Sequence, residues 1–165
     1  MNDYIKIKKR DIIRIGIENP DGTKVLDKNG NEEYIEFDLE DINTAENYDK
    51  CAEMVRTATA NLRDEFTLIN KKADAKTKGL MTRNEKAKSQ AIKKYYRELE
   101  EAMDLFLGEG GTNKIFGKVR YLSMFDDLTE MLEPVLPLIK MNYKKIEDKI
   151  KEKYSSLEDN VLTNE

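Results

Sequence analysis

Residues 99–132 hold the densest run of large apolar side chains in a chain of which 38% of the residues are charged. Leu99, Met103 and Phe106 recur in this run at helical spacing, and Gly108 follows directly. Glycine just after the last apolar position is typical of a helix C-terminus, because it adopts the left-handed conformation at little cost. A helix is therefore predicted to end immediately before Gly108, and the rest of the fold must accommodate that break.

The break is predicted to be a glycine hinge made by Gly108, Gly110, Gly111 and Gly117. Within it, Thr112 is predicted to cap a short turn that carries Ile115 and Phe116. An apolar stripe then resumes at Val119, Leu122, Met124 or Phe125, Leu128 and Leu132. The helices on either side are expected to close as a hairpin around the short turn. A phosphate-binding loop is the less favoured interpretation, because the GxxxxGK(S/T) spacing is missing and no strand precedes the segment.

Composition limits the functions open to the chain. Its 165 residues suit one domain, and near-equal shares of apolar (39%) and charged (38%) residues favour long helices with solvated faces. A single cysteine excludes an intrachain disulfide, and the absence of histidine removes the commonest general base and metal ligand. We therefore expect no enzymatic activity, no cofactor and no metal centre. No apolar run approaches the roughly 18 residues of a membrane span, so no membrane segment is expected.

Residues 1–42 are predicted to form an N-terminal β element, a hairpin or a three-stranded meander. The predicted strands cover residues 4–18, 23–27 and 34–39, and the turns between them contain Asn-Pro-Asp-Gly and Asn-Gly, which favour tight turns. One face of the first strand carries Ile5, Ile7, Ile13, Ile15 and Ile17. In the last strand, alternation predicts that Ile35, Phe37 and Leu39 are buried.

Asp27, Asn29, Asn31 and Glu33 are spaced like the start of a calcium-binding loop. However, the twelfth position of such a loop is Asp38 here instead of glutamate, and no helix is predicted before it. Hairpin turn chemistry explains the same residues and is the favoured interpretation.

Two capping boxes, residues 43–46 and 82–85, predict where two long helices begin. The second of these helices is expected to continue to the glycine hinge. The stripe of the first helix consists of Tyr48, Ala52, Val55, Ala58 or Thr59, Leu62, Phe66 and Ile69. Cys51 lies at the edge of this stripe and is interpreted as a small buried hydrophobe, because the chain has no histidine to activate it as a nucleophile.

Residues 71–97 are strongly basic, with ten lysines and arginines against two acidic residues. Gly79 divides this segment, so residues 71–82 are predicted to be a flexible basic elbow between two helices. Basic residues near Tyr95 and Tyr96 also suit nucleic acid. The net charge of the whole chain is -4, which makes nucleic acid the less favoured partner.

Pro134 and Pro137 predict a corner before the last helix, because each removes a backbone donor. Apolar residues recur in that helix at near-heptad spacing, namely Leu138, Ile139, Asn142 or Tyr143, Ile146, Ile150 and Tyr154. So narrow a stripe suits a coiled coil or an intersubunit contact better than a deep core. The helical domain is predicted to span residues 43–157 and a polar tail residues 158–165. The expected fold is α+β, mainly α, with about four helices.

Two runs of sequence carry a family resemblance. FDLEDINTAENYDKCAEMV begins at Phe37, and LEEAMDLFLGEGGTNKIFG begins at Leu99 after a variable charged segment. With the amphipathic helix that follows, this arrangement resembles the tail assembly chaperones, small proteins of phages and prophages of Gram-positive bacteria. Their genes lie between those of the major tail protein and the tape measure protein. Gly111 is additional to the family's loop, and the N-terminal hairpin is longer than the family's.

The resemblance implies a non-enzymatic binding protein of the host bacterial cytoplasm. Such a protein coats the tape measure protein until tube subunits replace it, and it associates with itself. The residues expected to contact the tape measure protein or a sister subunit are Phe106, Ile115, Phe116, Phe125, Ile139, Ile146 and Ile150. The alternative function is a nucleic-acid-binding phage or prophage regulator that uses residues 71–97.

Overall fold

The computed structural model describes residue 5 and residues 7–162, with side chains described as far as residue 155. Its elements in chain order are β1 (Ile12–Gly16), β2 (Tyr34–Asp38), α1 (Ile42–Asn70), α2 (Arg83–Leu107), α3 (Gly111–Phe116), α4 (Met124–Met131) and α5 (Leu136–Leu162). The chain is therefore α+β and mainly α, with an N-terminal hairpin before the helices, as the sequence predicts.

The two strands pair antiparallel and cover one side of the helices. Ile13 lies opposite Phe37, and Ile15 lies opposite Ile35. Both residues of β2 in these pairs are buried, and so is Leu39, which confirms the predicted alternation. Ile13 and Ile15 of β1 are half-buried against the same core, whereas Ile12 is 48% exposed. The β element is thus one wall of the hydrophobic core.

The predicted second strand, residues 23–27, is not a full strand. In the part of the chain that the structure describes, it makes only isolated bridges, Glu18 to Lys24 and Leu26 to Glu32. The Val25 N–H donates to the Ile17 carbonyl at 2.9 Å, and the Glu33 N–H donates to the Val25 carbonyl at 2.9 Å. Val25 thus bonds to the chain on both of its sides. The segment lies between two tight turns, and its pairing is too short to count as a strand.

The first strand is also shorter than predicted. It begins at Ile12, and residues 7–11 form no strand. Residues 1–4 and 6, which the predicted strand partly includes, lie outside the described residues. Ile5 and Ile7 are 94% and 91% exposed, so they do not extend the buried face.

One predicted helix start is confirmed and the other is wrong. The Thr82 hydroxyl accepts from the Glu85 N–H at 3.2 Å, and the Glu85 carboxylate accepts from the Thr82 N–H at 2.7 Å. This is the capping box predicted for α2. α1 starts earlier than predicted, because Asp41 is its N-cap and accepts from the Asn43 N–H at 2.9 Å.

The core forms where α1 packs along α2. This pair is the main helical hairpin, whereas the sequence predicts that α2 closes on the helix after the glycines. The most deeply buried side chains of α2 are Leu99, Ala102 and Met103, each 0% exposed. α4 adds Met124, Leu128 and Leu132 to the same cluster. The predicted apolar stripe of α4 is therefore correct from Met124 onward.

Residues 71–82, the segment predicted as a flexible elbow, connect α1 to α2 without regular structure. Asn84 holds this loop at its base, because its side-chain amide donates to the carbonyls of Ile69 at 3.3 Å and Lys72 at 2.9 Å. The Asp74 carboxylate accepts from the Asn84 N–H at 2.9 Å. The two ends of the elbow are thus tied together by one asparagine.

α5 begins at Leu136 and places Pro137 in its first turn, where a missing N–H leaves no hydrogen bond unmade. The helix continues to Leu162, past the predicted domain end at residue 157. The last three residues of the predicted polar tail lie outside the described residues. None of the described helices is long and apolar enough to cross a bilayer.

Candidate protein-binding surfaces

The glycine-rich segment folds into α3, a short helix held against the end of α2. Gly110 is the N-cap of α3 and has φ +73°, in the left-handed region that favours glycine. Gly111 has ordinary backbone angles but no room for a side chain, because a Cβ there would lie 2.4 Å from the Leu107 Cβ. The additional glycine of this chain therefore permits close packing of α3 on α2.

Asp104 caps α3 from the last turn of α2. Its carboxylate accepts from the Thr112 N–H at 2.8 Å and from the Gly110 N–H at 3.3 Å. A carboxylate at this position satisfies helix N–H groups that have no partner within the helix. Thr112 itself is fully buried inside α3, so its predicted role as the cap is wrong.

Arg120 fastens the other end of α3. Its guanidinium donates to the carbonyls of Gly117 at 2.7 Å and Val119 at 3.0 Å, and to the side-chain oxygen of Asn113. The same group forms an ion pair with Glu100 on α2 at 3.0 Å. Sequence reasoning missed both Arg120 and Asp104, because neither belongs to an apolar stripe. The segment predicted as a hinge is thus braced at both ends.

The segment from α3 into α4 carries an apolar surface, which we call the α3–α4 surface. Ile115, Phe116 and Phe125 are half-buried against the core. Val119 is 67% exposed and Leu122 is 64% exposed, because they lie in the loop between the helices and not on a helical stripe as predicted. Half-buried and exposed apolar groups therefore occur together over a short stretch of chain.

Phe106, the remaining candidate of this region, lies inside the protein. Its ring stacks on Phe37 with the centroids 4.9 Å apart and meets the edge of Tyr48 at 5.2 Å. Only 6% of the residue is exposed. Its place is in the core between the β element and the first two helices, away from any partner in this conformation.

A second candidate surface is a groove of about 1030 Å³ between the start of α1, α4 and the start of α5. Its lining includes the apolar residues Ala45, Tyr48, Leu136, Pro137, Ile139 and Tyr143. The charged residues of the lining are Glu46, Asp49, Asp126, Glu130, Glu133 and Lys140. We call this feature the acidic groove, since five carboxylates face one ammonium group.

The candidates on α5 differ in their surroundings. Ile139 is 5% exposed and belongs to the core cluster. Ile146 is half-buried, and Ile150 is 45% exposed. Every side chain from residue 148 to residue 155 is exposed, on all faces of the helix. This part of α5 therefore contributes no buried side chain to the body of the protein.

The basic segment is spread over two elements. Lys86, Lys93 and Arg97 are exposed and recur at a spacing that places them on one face of α2. The Lys88 ammonium instead lies over the Phe66 ring, 5.7 Å from its centroid. Tyr95 is 5% exposed and so is not available for base stacking.

Cys51 and the predicted turn at Asp27 both serve the fold and form no binding or catalytic site in this structure. Cys51 is 0% exposed, and burial raises the pKa of its thiol to about 12. The Asp27 carboxylate accepts from the N–H groups of Asn29 at 2.8 Å and Asn31 at 3.0 Å, which lowers its pKa and closes a tight turn. The residues weighed as a calcium loop thus serve hairpin geometry.

Comparison of the chain with protein-family models, with curated proteins and with solved structures finds no match.

Proposed function

We propose that this protein is a tail assembly chaperone of a phage or prophage of Gram-positive bacteria. In this role it binds the tape measure protein in the host cytoplasm and keeps it soluble during tail morphogenesis, without catalysing a reaction. The sequence runs that begin at Phe37 and Leu99 support the proposal through their resemblance to that family. In the structure both runs contribute to one core, where Phe37 and Phe106 stack.

The observation that carries the proposal is the α3–α4 surface. Val119 and Leu122 expose most of their apolar area within eight residues of chain from Ile115, on a segment that Arg120 and Asp104 hold in place. Exposed apolar groups grouped on a rigid surface are typical of protein-binding sites. A helical client presents an apolar stripe that such a surface can cover.

A binding role without chemistry also agrees with the side chains available. The chain contains no histidine, and its one thiol is buried with a raised pKa, so neither supplies a nucleophile near neutral pH. Among the described residues, no group of three or more acidic or cysteine side chains is placed to hold a metal ion.

The proposal is tested by co-expression with the tape measure protein of the same phage or prophage. The tape measure protein is expected to be soluble and to co-purify with the wild-type chain. Val119→Asp/Leu122→Asp is expected to abolish co-purification without changing the far-ultraviolet circular dichroism, because both positions are exposed. Leu68→Asp/Leu80→Asp is the matched control, since Leu68 and Leu80 are also exposed, on other parts of the chain. A tape measure protein that is equally soluble without this chain contradicts the proposal.

A nucleic-acid-binding regulator is the second candidate, and the shared face of Lys86, Lys93 and Arg97 favours it. It predicts retention of labelled DNA or RNA with a steep dependence on salt. Lys86→Glu/Lys93→Glu should then abolish binding while leaving the α3–α4 surface intact. Binding of labelled DNA or RNA is measured by fluorescence anisotropy. If no salt-dependent binding is seen, the nucleic-acid-binding function is eliminated.

A further inference from the structure

The outer part of α5 carries an apolar stripe that is exposed in the structure. We call residues 144–155 the α5 arm. From residue 148 onward all its side chains are exposed, so roughly two turns of helix gain nothing from packing within the chain. Isolated helices are only marginally stable in water, because tertiary packing of one face supplies most of their stability. A long helix of this kind requires something to cover its apolar face.

The α5 arm continues the apolar stripe of the buried start of the helix. Ile146, Ile150 and Tyr154 follow Tyr143 at spacings of three or four residues, so they share one face. Ile150 and Tyr154 are 45% and 65% exposed. Lys149 and Lys151 border the stripe on its two sides by the same helical geometry. The arm as a whole carries five lysines against three acidic residues, so it keeps an excess of positive charge although Lys144 and Lys151 form ion pairs with Glu147 and Asp148 within the helix.

The acidic groove has the opposite character. Its floor is apolar, and its rim carries Glu46 and Asp49 from α1, Asp126 and Glu130 from α4, and Glu133 from the turn that follows α4. None of these five carboxylates forms an ion pair with another described residue. Five carboxylates held near one ammonium group, that of Lys140, leave the groove with an excess of negative charge that favours a basic occupant. An open groove between helices, at the upper end of the size range of ligand pockets, suits a helix.

We propose that the α5 arm of one copy of this chain occupies the acidic groove of a second copy, and that the second copy returns the same contact. Tyr143 belongs both to the groove and to the stripe, so the two α5 helices meet along one continuous face. They run antiparallel with the two-fold axis near Ile146. This places Ile150 and Tyr154 of the second copy over Tyr143 and the groove floor, and its lysines beside the acidic rim.

A two-fold arrangement satisfies both unpartnered surfaces at once. Each copy supplies one arm and one groove, which is the self-complementary contact that a closed dimer requires. An arm cannot fold back into the groove of its own chain, because α5 is one continuous helix that starts in that groove and leads away from it. The proposal concerns self-assembly and does not depend on the identity of the client.

The test is the molar mass of the full-length chain, measured by size-exclusion chromatography with light scattering, for the wild type and two charge-reversed variants. The rim variant is Asp49→Lys/Glu130→Lys, and the arm variant is Lys149→Glu/Lys151→Glu. The wild type is expected to be a dimer at about 50 µM, and each variant alone a monomer, with dimerisation weakened at least about tenfold. An equimolar mixture of the two variants is expected to recover the dimer, because each arm then meets a groove of opposite charge.

Two matched variants separate this pairing from general effects of charge. Lys145→Glu reverses a charge on the face of the arm opposite to the stripe, and Asp64→Lys/Glu101→Lys reverses two charges on α1 and α2 outside the acidic groove. Both are expected to remain dimers. A monomeric wild type overturns the proposal, including the case in which the groove takes only a client helix. Dimers that persist in both the rim and the arm variants, or a mixture that stays monomeric, also overturn it.

Discussion

The two halves of the α5 stripe have the same chemistry and opposite surroundings. Ile139 is 5% exposed within the core, whereas Tyr154, further along the same face, is 65% exposed. The first half packs on α1 and contributes Ile139 to the core, whereas every side chain from residue 148 to residue 155 is exposed. The difference shows that periodicity identifies the face of a helix to be covered, while only the tertiary arrangement shows whether the same chain covers it. The predictions below probe this contrast between the packed body and the α5 arm.

The largest effect is expected at the centre of the body. Leu99→Ala should lower the free energy of unfolding by about 3 kcal/mol, because Leu99 is 0% exposed and its loss leaves a cavity. Leu80→Ala is the control and should change stability very little, since Leu80 is fully exposed. Urea unfolding followed by circular dichroism measures both. Equal midpoints for the two variants would show that the core is assigned incorrectly.

The next effect is expected where α3 meets α2. Gly111→Ala should cost about 2 kcal/mol, because the new Cβ would lie 2.4 Å from the Leu107 Cβ and the helices must move apart. Gly79→Ala offers a control, since the nearest atom to a Cβ there is the Thr77 hydroxyl at 3.7 Å. The same urea titration distinguishes them. A Gly111→Ala variant as stable as Gly79→Ala argues against close packing of α3.

Removal of the cap on α3 should have an intermediate effect. Asp104→Ala is expected to cost about 1 to 2 kcal/mol, because the Thr112 and Gly110 N–H groups lose their acceptor. Glu101→Ala, also on α2 but exposed and with no contact to α3, should cost much less. If both substitutions prove equivalent in thermal unfolding, Asp104 is not the cap.

Stability of the body should also fall in alkaline solution through Cys51. Its folded pKa is raised to about 12 from an ordinary 9.0, so the folded state keeps a proton that the unfolded state releases. The resulting stability is fully present below about pH 9 and is lost as the pH rises toward 12, by about 1.4 kcal/mol at pH 10. Urea midpoints at pH 8 and pH 10 should therefore diverge more for the wild type than for Cys51→Ala. Parallel shifts would exclude this contribution.

The smallest effect on stability is expected on the α5 arm. Ile150→Asp should change the unfolding free energy of the monomer by less than about 0.5 kcal/mol, because Ile150 is 45% exposed and lies on a part of α5 without buried side chains. The same substitution should strongly weaken the dimer, since it places a carboxylate in the apolar face. Urea unfolding of a dilute sample measures the stability of the monomer, and the molar mass at a higher protein concentration measures dimerisation. A large loss of monomer stability would mean that the arm packs within its own chain.

Much of the body follows directly from local sequence signals. The Thr82 capping box, the alternation from Ile35 to Leu39 and the burial of Cys51 were all predictable, because each depends on a short pattern and one buried face. The first residue of α1 was harder to predict, because Asp41 and Asn43 are both good N-cap residues and only the backbone conformation selects between them.

The candidate surfaces were harder to predict than the core. The buried place of Phe106 and the exposed loop position of Leu122 follow from how α2, α3 and α4 meet, which no periodicity encodes. Asp104 and Arg120 act across elements, through hydrogen bonds that depend on the fold. The carboxylates of the acidic groove come from segments that are distant in sequence, mainly α1 and α4. No acidic run in the sequence therefore indicated the groove.

The most direct test of the exchange between arm and groove is disulfide formation between copies of Ile146→Cys, made in a Cys51→Ala background so that no other thiol is present. Antiparallel α5 helices with a two-fold axis near residue 146 bring these two thiols together, so a covalent dimer is expected on mild oxidation. Tyr154→Cys in the same background should remain uncrosslinked, because its two copies lie at opposite ends of the contact. A chain that forms no covalent dimer at residue 146, or one that crosslinks equally well at residue 154, would contradict the account.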